Sequence, residues 1–194
     1  MPKPSGKFNV EKLKVNCKLA IKRIQVLQQK KAECLKRERK KIADLIASDK
    51  IDTARIKVEQ LIREDYIVEA LETVENHCET VLSRLSLILS QKNVDEGLTP
   101  ILASIIWTTP RLSYDIAELQ NISDQLYLKF GKAFHEAALS NSLKIVNERV
   151  VSCLSVQPPD SNMVEHYLKT IADAHKLSYE PNIVEFNDTM VHFI

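Results

Sequence analysis

Five histidines, four cysteines, 26 carboxylates and 27 basic side chains are the groups of this 194-residue chain that could do chemistry. The histidines (His77, His135, His166, His175 and His192) are scattered, and no two stand at helical metal-ligand spacing. His175 falls on the apolar face of the last helical segment, which reads as a packing position rather than a catalytic one. Cys17, Cys34, Cys78 and Cys153 are far apart with no Cys-x-x-Cys, so they read as reduced, buried, small apolar residues. His77 and Cys78 are adjacent and leave a helix in different directions, so they make no ligand pair. Glu64-Asp65 sits in a long charged helical stretch, where solvation or ion pairing is the ordinary role. GxGxxG, GxxxxGK[ST], HExxH and GxSxG are all absent. The expectation is no catalytic residue, no metal, no cofactor, and a protein that is not an enzyme.

What remains is binding chemistry, and it begins with charge. The net charge of +1 hides an asymmetry: residues 1–41 hold 14 Lys/Arg and 3 Asp/Glu, whereas residues 42–80 hold 4 and 10. Such a division suits an anionic partner, pairing between the two segments, or both. Lys18, Lys22, Lys36 and Lys40 line one side of the first segment as a candidate assembly or membrane surface. Beside them Val15, Leu19 and Val26 form an apolar stripe.

These groups need elements to position them. Only 3 glycines and 6% aromatic residues argue against a β-sandwich or barrel. No proline occurs from Ser5 to Thr99 and no glycine from Lys7 to Glu96, so this stretch reads as helix. The turn-forming run Ser48-Asp49-Lys50-Ile51-Asp52 divides it into helices at about 10–47 and 52–90, each roughly 55–60 Å long. A short connection makes them an antiparallel hairpin. Leu13, Cys17, Ala20, Ile24 and Leu27 supply one seam, and Val58, Leu61, Val68, Leu71, Val74, Cys78, Leu82 and Leu85 face it. The stripe at Val15, Leu19 and Val26 lies roughly 140° from that seam and requires other cover.

The second half reads as shorter pieces. Thr99-Pro100 opens a helix to Trp107, and Thr109-Pro110 repeats the signal for one reaching Lys129. Gly131 weakens or bends the segment after it. Leu143, Val146, Val150 and Leu154 suggest another helix, ended by Pro158-Pro159. Asp160, Ser161 or Asn162 then caps a last helix with Val164, Tyr167, Leu168 and Ile171 on one face. The uncharged run 97–110 is too short to span a bilayer, and Met1–Lys14 holds no secretory signal.

Three binding classes fit an all-α, hairpin-based chain. A basic hairpin can contact nucleic-acid phosphates, but no aromatic residue interleaves the basic ones after Phe8. A crescent-shaped membrane-bending dimer needs a third long helix, which Pro110, Gly131 and Pro158 interrupt. A helical subunit that polymerises near membranes and takes partner helices in a groove suits both the extra stripe and the basic segment. In the bland reading the stripe is core and the lysines keep the surface soluble.

Particular residues narrow the choice. Phe8, Lys12-Leu13-Lys14-Val15-Asn16, Leu19-Ala20-Ile21 and Arg23-Ile24 resemble the opening of the Ist (increased sodium tolerance) family of ESCRT-III-like proteins. Ala54-Arg55-Ile56-Lys57-Val58-Glu59 with Ile62-Arg63-Glu64-Asp65-Tyr66 is similar to its most recognisable segment. Ile105-Ile106-Trp107 with Pro110-Arg111-Leu112 resembles its short third helix and the start of its fourth, and Tyr179-Glu180-Pro181 its domain end. The resemblance implies an ESCRT-III-like helical domain over 10–180, after a flexible N-terminus (1–9) and before a tail (181–194).

It further implies an ESCRT accessory subunit, cytoplasmic and peripheral on endosomal membrane and at the midbody. Such a subunit binds and copolymerises with an ESCRT-III charged multivesicular body protein, forms hetero- and homo-polymers, and modulates the ESCRT AAA ATPase. Multivesicular body sorting, membrane scission and cytokinetic abscission are the processes implied, with no nucleic-acid partner. A basic hairpin that binds nucleic acid is the alternative. Family members usually continue to C-terminal motifs that bind MIT domains; nothing after Pro181 resembles one, so that contact falls on no residue of this sequence. The partner's amphipathic C-terminal helix is expected in a groove between the hairpin and the last helix. Val164, Tyr167, Leu168 and Ile171 would be its apolar anchors, unless that face only packs the helix in place.

Overall fold

The computed structural model describes residue 4 and residues 6–182; most of the expected tail lies outside the described residues. Seven helices and no strand occur among the described residues: α1 (Val10–Ala47), α2 (Ile51–Ser83), α3 (Leu85–Ser90), α4 (Thr99–Leu112), α5 (Glu118–Ser140), α6 (Glu148–Cys153) and α7 (Ser161–Ala174). Two compact units divide the chain. One comprises Met1–Lys31 with Tyr66–Ser155, the other Ala32–Asp65 with Val156–Ile194. α1 and α2 contribute to both.

In the first unit the seam lies where the periodicity puts it. Leu13, Cys17, Ala20 and Ile24 are fully buried, as are Leu71, Val74 and Cys78, whereas Leu27, Val68, Leu82 and Leu85 of the same stripes are only half-buried. The helices run antiparallel, with Gln25 Nε2 donating to Glu75 Oε1 at 2.7 Å. α4 is the centre of this unit: every residue from Leu102 to Thr109 is buried. Its hydroxyls satisfy themselves locally, Ser104 donating to the Pro100 carbonyl at 2.6 Å and Thr109 to that of Ile105 at 2.8 Å. Two ion pairs hold other helices in place. Arg23 of α1 grips the buried Glu118 of α5 through Nε and Nη2, each at 2.8 Å. Arg149 of α6 grips Glu69 of α2, with Nη2 to Oε2 at 2.6 Å.

The second unit contains the turn between α1 and α2. Asp49 is left-handed (φ 56°), and the Lys50 amide donates to the Leu45 carbonyl at 3.0 Å, which closes the first helix. Ile42, Ala43 and Ile46 of α1, Val58 and Ile62 of α2, and Leu168 and Ala172 of α7 are buried. Asp160 caps α7, accepting from the Asn162 amide at 3.1 Å.

Several expected boundaries move. The second helix does not run to residue 90: it breaks at Arg84, with no glycine or proline there to signal it. Thr109-Pro110 does not open a helix. Pro110 sits in the last turn of α4, where its missing N–H costs a single bond, that to the Ile106 carbonyl, while Arg111 Nη1 donates to the neighbouring Trp107 carbonyl at 2.7 Å. α5 therefore starts at Glu118. Gly131 (φ 86°, ψ 174°) breaks α5 into two pieces. The segment expected around Leu143–Leu154 is helical only from Glu148, capped by Asn147. Cys34 is exposed, unlike the other three cysteines.

Candidate functional site: a groove on the last helix and a basic face on the first

In the second unit a groove of about 340 Å³ runs along α7, lined by His166, Tyr167, Thr170, Ile171, Ala174 and His175 with Arg39 of α1. The spacing follows from the helix: 167, 171 and 174 form one stripe, and 166 and 170 flank it. No carboxylate belongs to the lining. Arg39 is held by Asp65 of α2, its Nη2 donating to Oδ2 at 2.7 Å and to Oδ1 at 3.0 Å. The groove thus offers an apolar floor between donor-rich edges, which suits an amphipathic helix.

The four anchors expected from sequence divide. Tyr167 and Ile171 line the groove. Val164 and Leu168 do not; they are buried in the packing of the second unit, as Ile171 largely is too. The apolar face of α7 is wider than the groove, so most of it docks the helix. His175 is no packing residue: it is exposed and lines the groove. Sequence reasoning missed Arg39, His166 and Thr170, which carry no apolar signal, and Ala174, which continues the stripe three residues after Ile171.

It also missed the group that fixes α7. Glu165 is 4% exposed and accepts from Arg55 Nε at 2.7 Å, the Tyr179 hydroxyl at 2.6 Å and the Asn182 amide at 2.9 Å. Burial pushes its carboxyl up, but the bonds from Tyr179, Arg55 and Asn182 outweigh it and hold the group below its ordinary range. Burial, with the bond to Glu165, pushes the Tyr179 phenol up to about 12. A legible signal existed: a carboxylate at 165, three residues before Leu168, stands on an apolar face.

Lys18 and Lys22 in the first unit, and Lys36 and Lys40 in the second, are all exposed. The stripe beside the first pair stays in water: Val15, Leu19 and Val26 are 50%, 48% and 66% exposed. No helix among the described residues covers it.

Other chemistry is structural. Ser123 Oγ and His135 Nε2 lie 2.8 Å apart, a spacing a nucleophile and base would use, but Ser123 is 2% exposed and admits no substrate. The bond instead ties the two pieces of α5 across the Gly131 kink. His77 on α2 is mostly buried, its Nδ1 has no hydrogen-bond partner, and burial lowers it to about 4. Among the described residues no three His, Cys, Asp or Glu are grouped to hold a metal, and no helix is long and apolar enough to cross a membrane.

An all-helical chain with a helical hairpin and a docked final helix has the ESCRT-III-like architecture, and a solved structure matches it closely. This is the Saccharomyces cerevisiae Ist1 N-terminal domain in complex with a Did2 MIM motif, with a TM-score of 0.81 at 26% identity, covering 91% of this chain and 96% of that one. The model of the family described as "Ist1: Regulator of Vps4 activity in the MVB pathway" matches residues 14–178, and the chain belongs to that family. It is 32% identical over 172 residues to an IST1-like protein of Dictyostelium discoideum, spanning 89% of this chain and 46% of that protein. It is 28% identical over 176 residues to vacuolar protein sorting-associated protein IST1 of S. cerevisiae, spanning 87% and 58% respectively. The chain therefore spans about half the length of these relatives.

Proposed function

We propose that this chain is a non-catalytic ESCRT accessory subunit. It takes the C-terminal helix of an ESCRT-III charged multivesicular body protein into the α7 groove, copolymerises with it, and through that assembly modulates the Vps4-type AAA ATPase in endosomal sorting, scission and abscission. Residues 10–180 act as one ESCRT-III-like domain, and the protein works in the cytoplasm, peripherally on endosomes and at the midbody. The observation that carries the reading is the α7 groove, in a chain whose structural neighbour was solved with an ESCRT-III MIM motif bound. Tyr167 and Ile171 supply apolar contact, and Arg39 supplies a charged edge. The lysine face of α1, with Lys18 and Lys22 beside the exposed stripe, serves assembly with an acidic neighbour or anionic membrane.

A labelled peptide of the yeast Did2 MIM motif, titrated against the 194-residue chain, tests the groove. Saturable binding that Tyr167→Ala weakens about tenfold or more supports it. Wild-type affinity in that variant removes the site from α7. Co-sedimentation with the ESCRT-III protein and separately with RNA decides between this function and a nucleic-acid binder. Salt-sensitive pelleting with RNA alone overturns the assembly reading.

A further inference from the structure

The chain reverses at the end of α7. Lys176 takes a left-handed backbone (φ 57°), and the Leu177 amide donates back to the Ala172 carbonyl at 2.9 Å. The reversal brings Tyr179 and Asn182 to Glu165, near the opposite end of the helix. Both donate to the same oxygen, Oε2, while Arg55 of α2 donates to Oε1. A carboxylate this buried is tolerated only while its donors are present. Glu165 directly precedes His166 and Tyr167, which line the groove. The rotation of that first part of α7 is therefore set where Glu165 is clamped.

We propose that residues 176–182 are a latch for the partner-helix groove. Tyr179 and the Asn182 amide, closing with Arg55 on Glu165, hold α7 in the setting that accepts a helix. This rests on the groove reading above. Glu165, Arg55 and Tyr179 are positioning residues, because none of them lines the groove. Coupling of this kind is reciprocal: a peptide that prefers the latched α7 must tighten the latch by the factor by which latch opening weakens the peptide. Asn182 is its own reporter, because its amide is one of the closing bonds.

The test uses the 194-residue chain, the Did2 MIM peptide and amide hydrogen exchange followed by NMR. Tyr179→Phe keeps the ring and removes the donor to a charged group. Asn182 and the first turns of α7 should then exchange about tenfold faster, and the peptide should bind about tenfold more weakly. In the wild type, saturating peptide should slow exchange at Asn182. Asn182→Pro removes the other donor at an exposed position, where global unfolding is not at issue, and should weaken the peptide similarly. Tyr167→Ala should weaken the peptide without speeding Asn182 exchange in the free chain. Peptide affinity that ignores both latch variants, or Asn182 exchange that ignores the peptide, overturns the latch while leaving the groove intact. Failure of the wild type to bind the peptide overturns the groove reading and the latch with it.

Discussion

Tyr167 and Leu168 are neighbours on α7 with opposite surroundings, and truncating each to alanine separates recognition from folding. Leu168 is 0% exposed in the second unit. Removing its three outer carbons loses their transfer energy and leaves a cavity, which costs about 3 kcal/mol. For a chain of this size that lowers the thermal midpoint by roughly 6–12 °C. Tyr167 is half-buried and faces the groove. Its truncation should cost about 1 kcal/mol of stability. As a central aromatic anchor it should nonetheless cost about 2 kcal/mol or more of peptide binding, roughly 30-fold in Kd. Thermal unfolding by circular dichroism and peptide titration on the same samples, at a temperature where both variants are folded, measure the two effects. If Tyr167→Ala lowers the midpoint as much as Leu168→Ala does, and affinity falls only in step with the folded fraction, Tyr167 is a packing residue and the groove assignment is wrong.

Three further outcomes are expected. His77 has a folded-state pKa of about 4, below the ordinary 6.5, so the unfolded chain takes up the proton first. Its contribution is complete above about pH 6.5 and is lost as pH falls towards 4, on the order of 3 kcal/mol; His77→Gln should flatten a plot of unfolding free energy over that window, and an unchanged slope refutes the assignment. Gly131 has φ 86° and ψ 174°, a conformation nearly confined to glycine, and apart from its own chain neighbours and helix backbone no atom lies within 4 Å of the place a Cβ would take, so Gly131→Ala should cost about 1–3 kcal/mol through backbone strain alone, read from the denaturant midpoint. Reversing Lys18 and Lys22 to Glu should leave the thermal midpoint within about 1 °C, since exposed charges contribute little to folding, yet reduce co-sedimentation with an ESCRT-III protein or anionic vesicles; wild-type pelleting across a range of salt would show that this face is idle.

Local rules carry much of this chain. The extent of α1, the turn at 48–50 and the Asp160 cap follow from periodicity, turn chemistry and capping, which act within a few residues. Thr99-Pro100 marks where α4 opens, but Thr99 is already its first residue, and Leu98 holds the cap position with no side-chain bond. The seam is legible for the same reason: a stripe repeating every three to four residues has one side to bury. The break at Arg84 and the passage of α4 through Pro110 have no such local cause. Thr109-Pro110 carries the same residues as Thr99-Pro100, and only the burial of α4 and the bonds of its last turn assign them opposite ends of one helix. Periodicity also marks a face as apolar without saying how much of it a neighbour covers. Val15, Leu19 and Val26 remain in water, whereas the single stripe on α7 splits into buried Val164 and Leu168 and groove-lining Tyr167 and Ile171. The Glu165 cluster lay furthest from view. Arg55 and Glu165 are 110 positions apart, and no short-range pattern pairs them. A buried carboxylate is stable only where the fold delivers its donors, so sequence alone determined most of the elements, and packing decided the remaining boundaries, which residues clamp α7 and which are left to meet a partner.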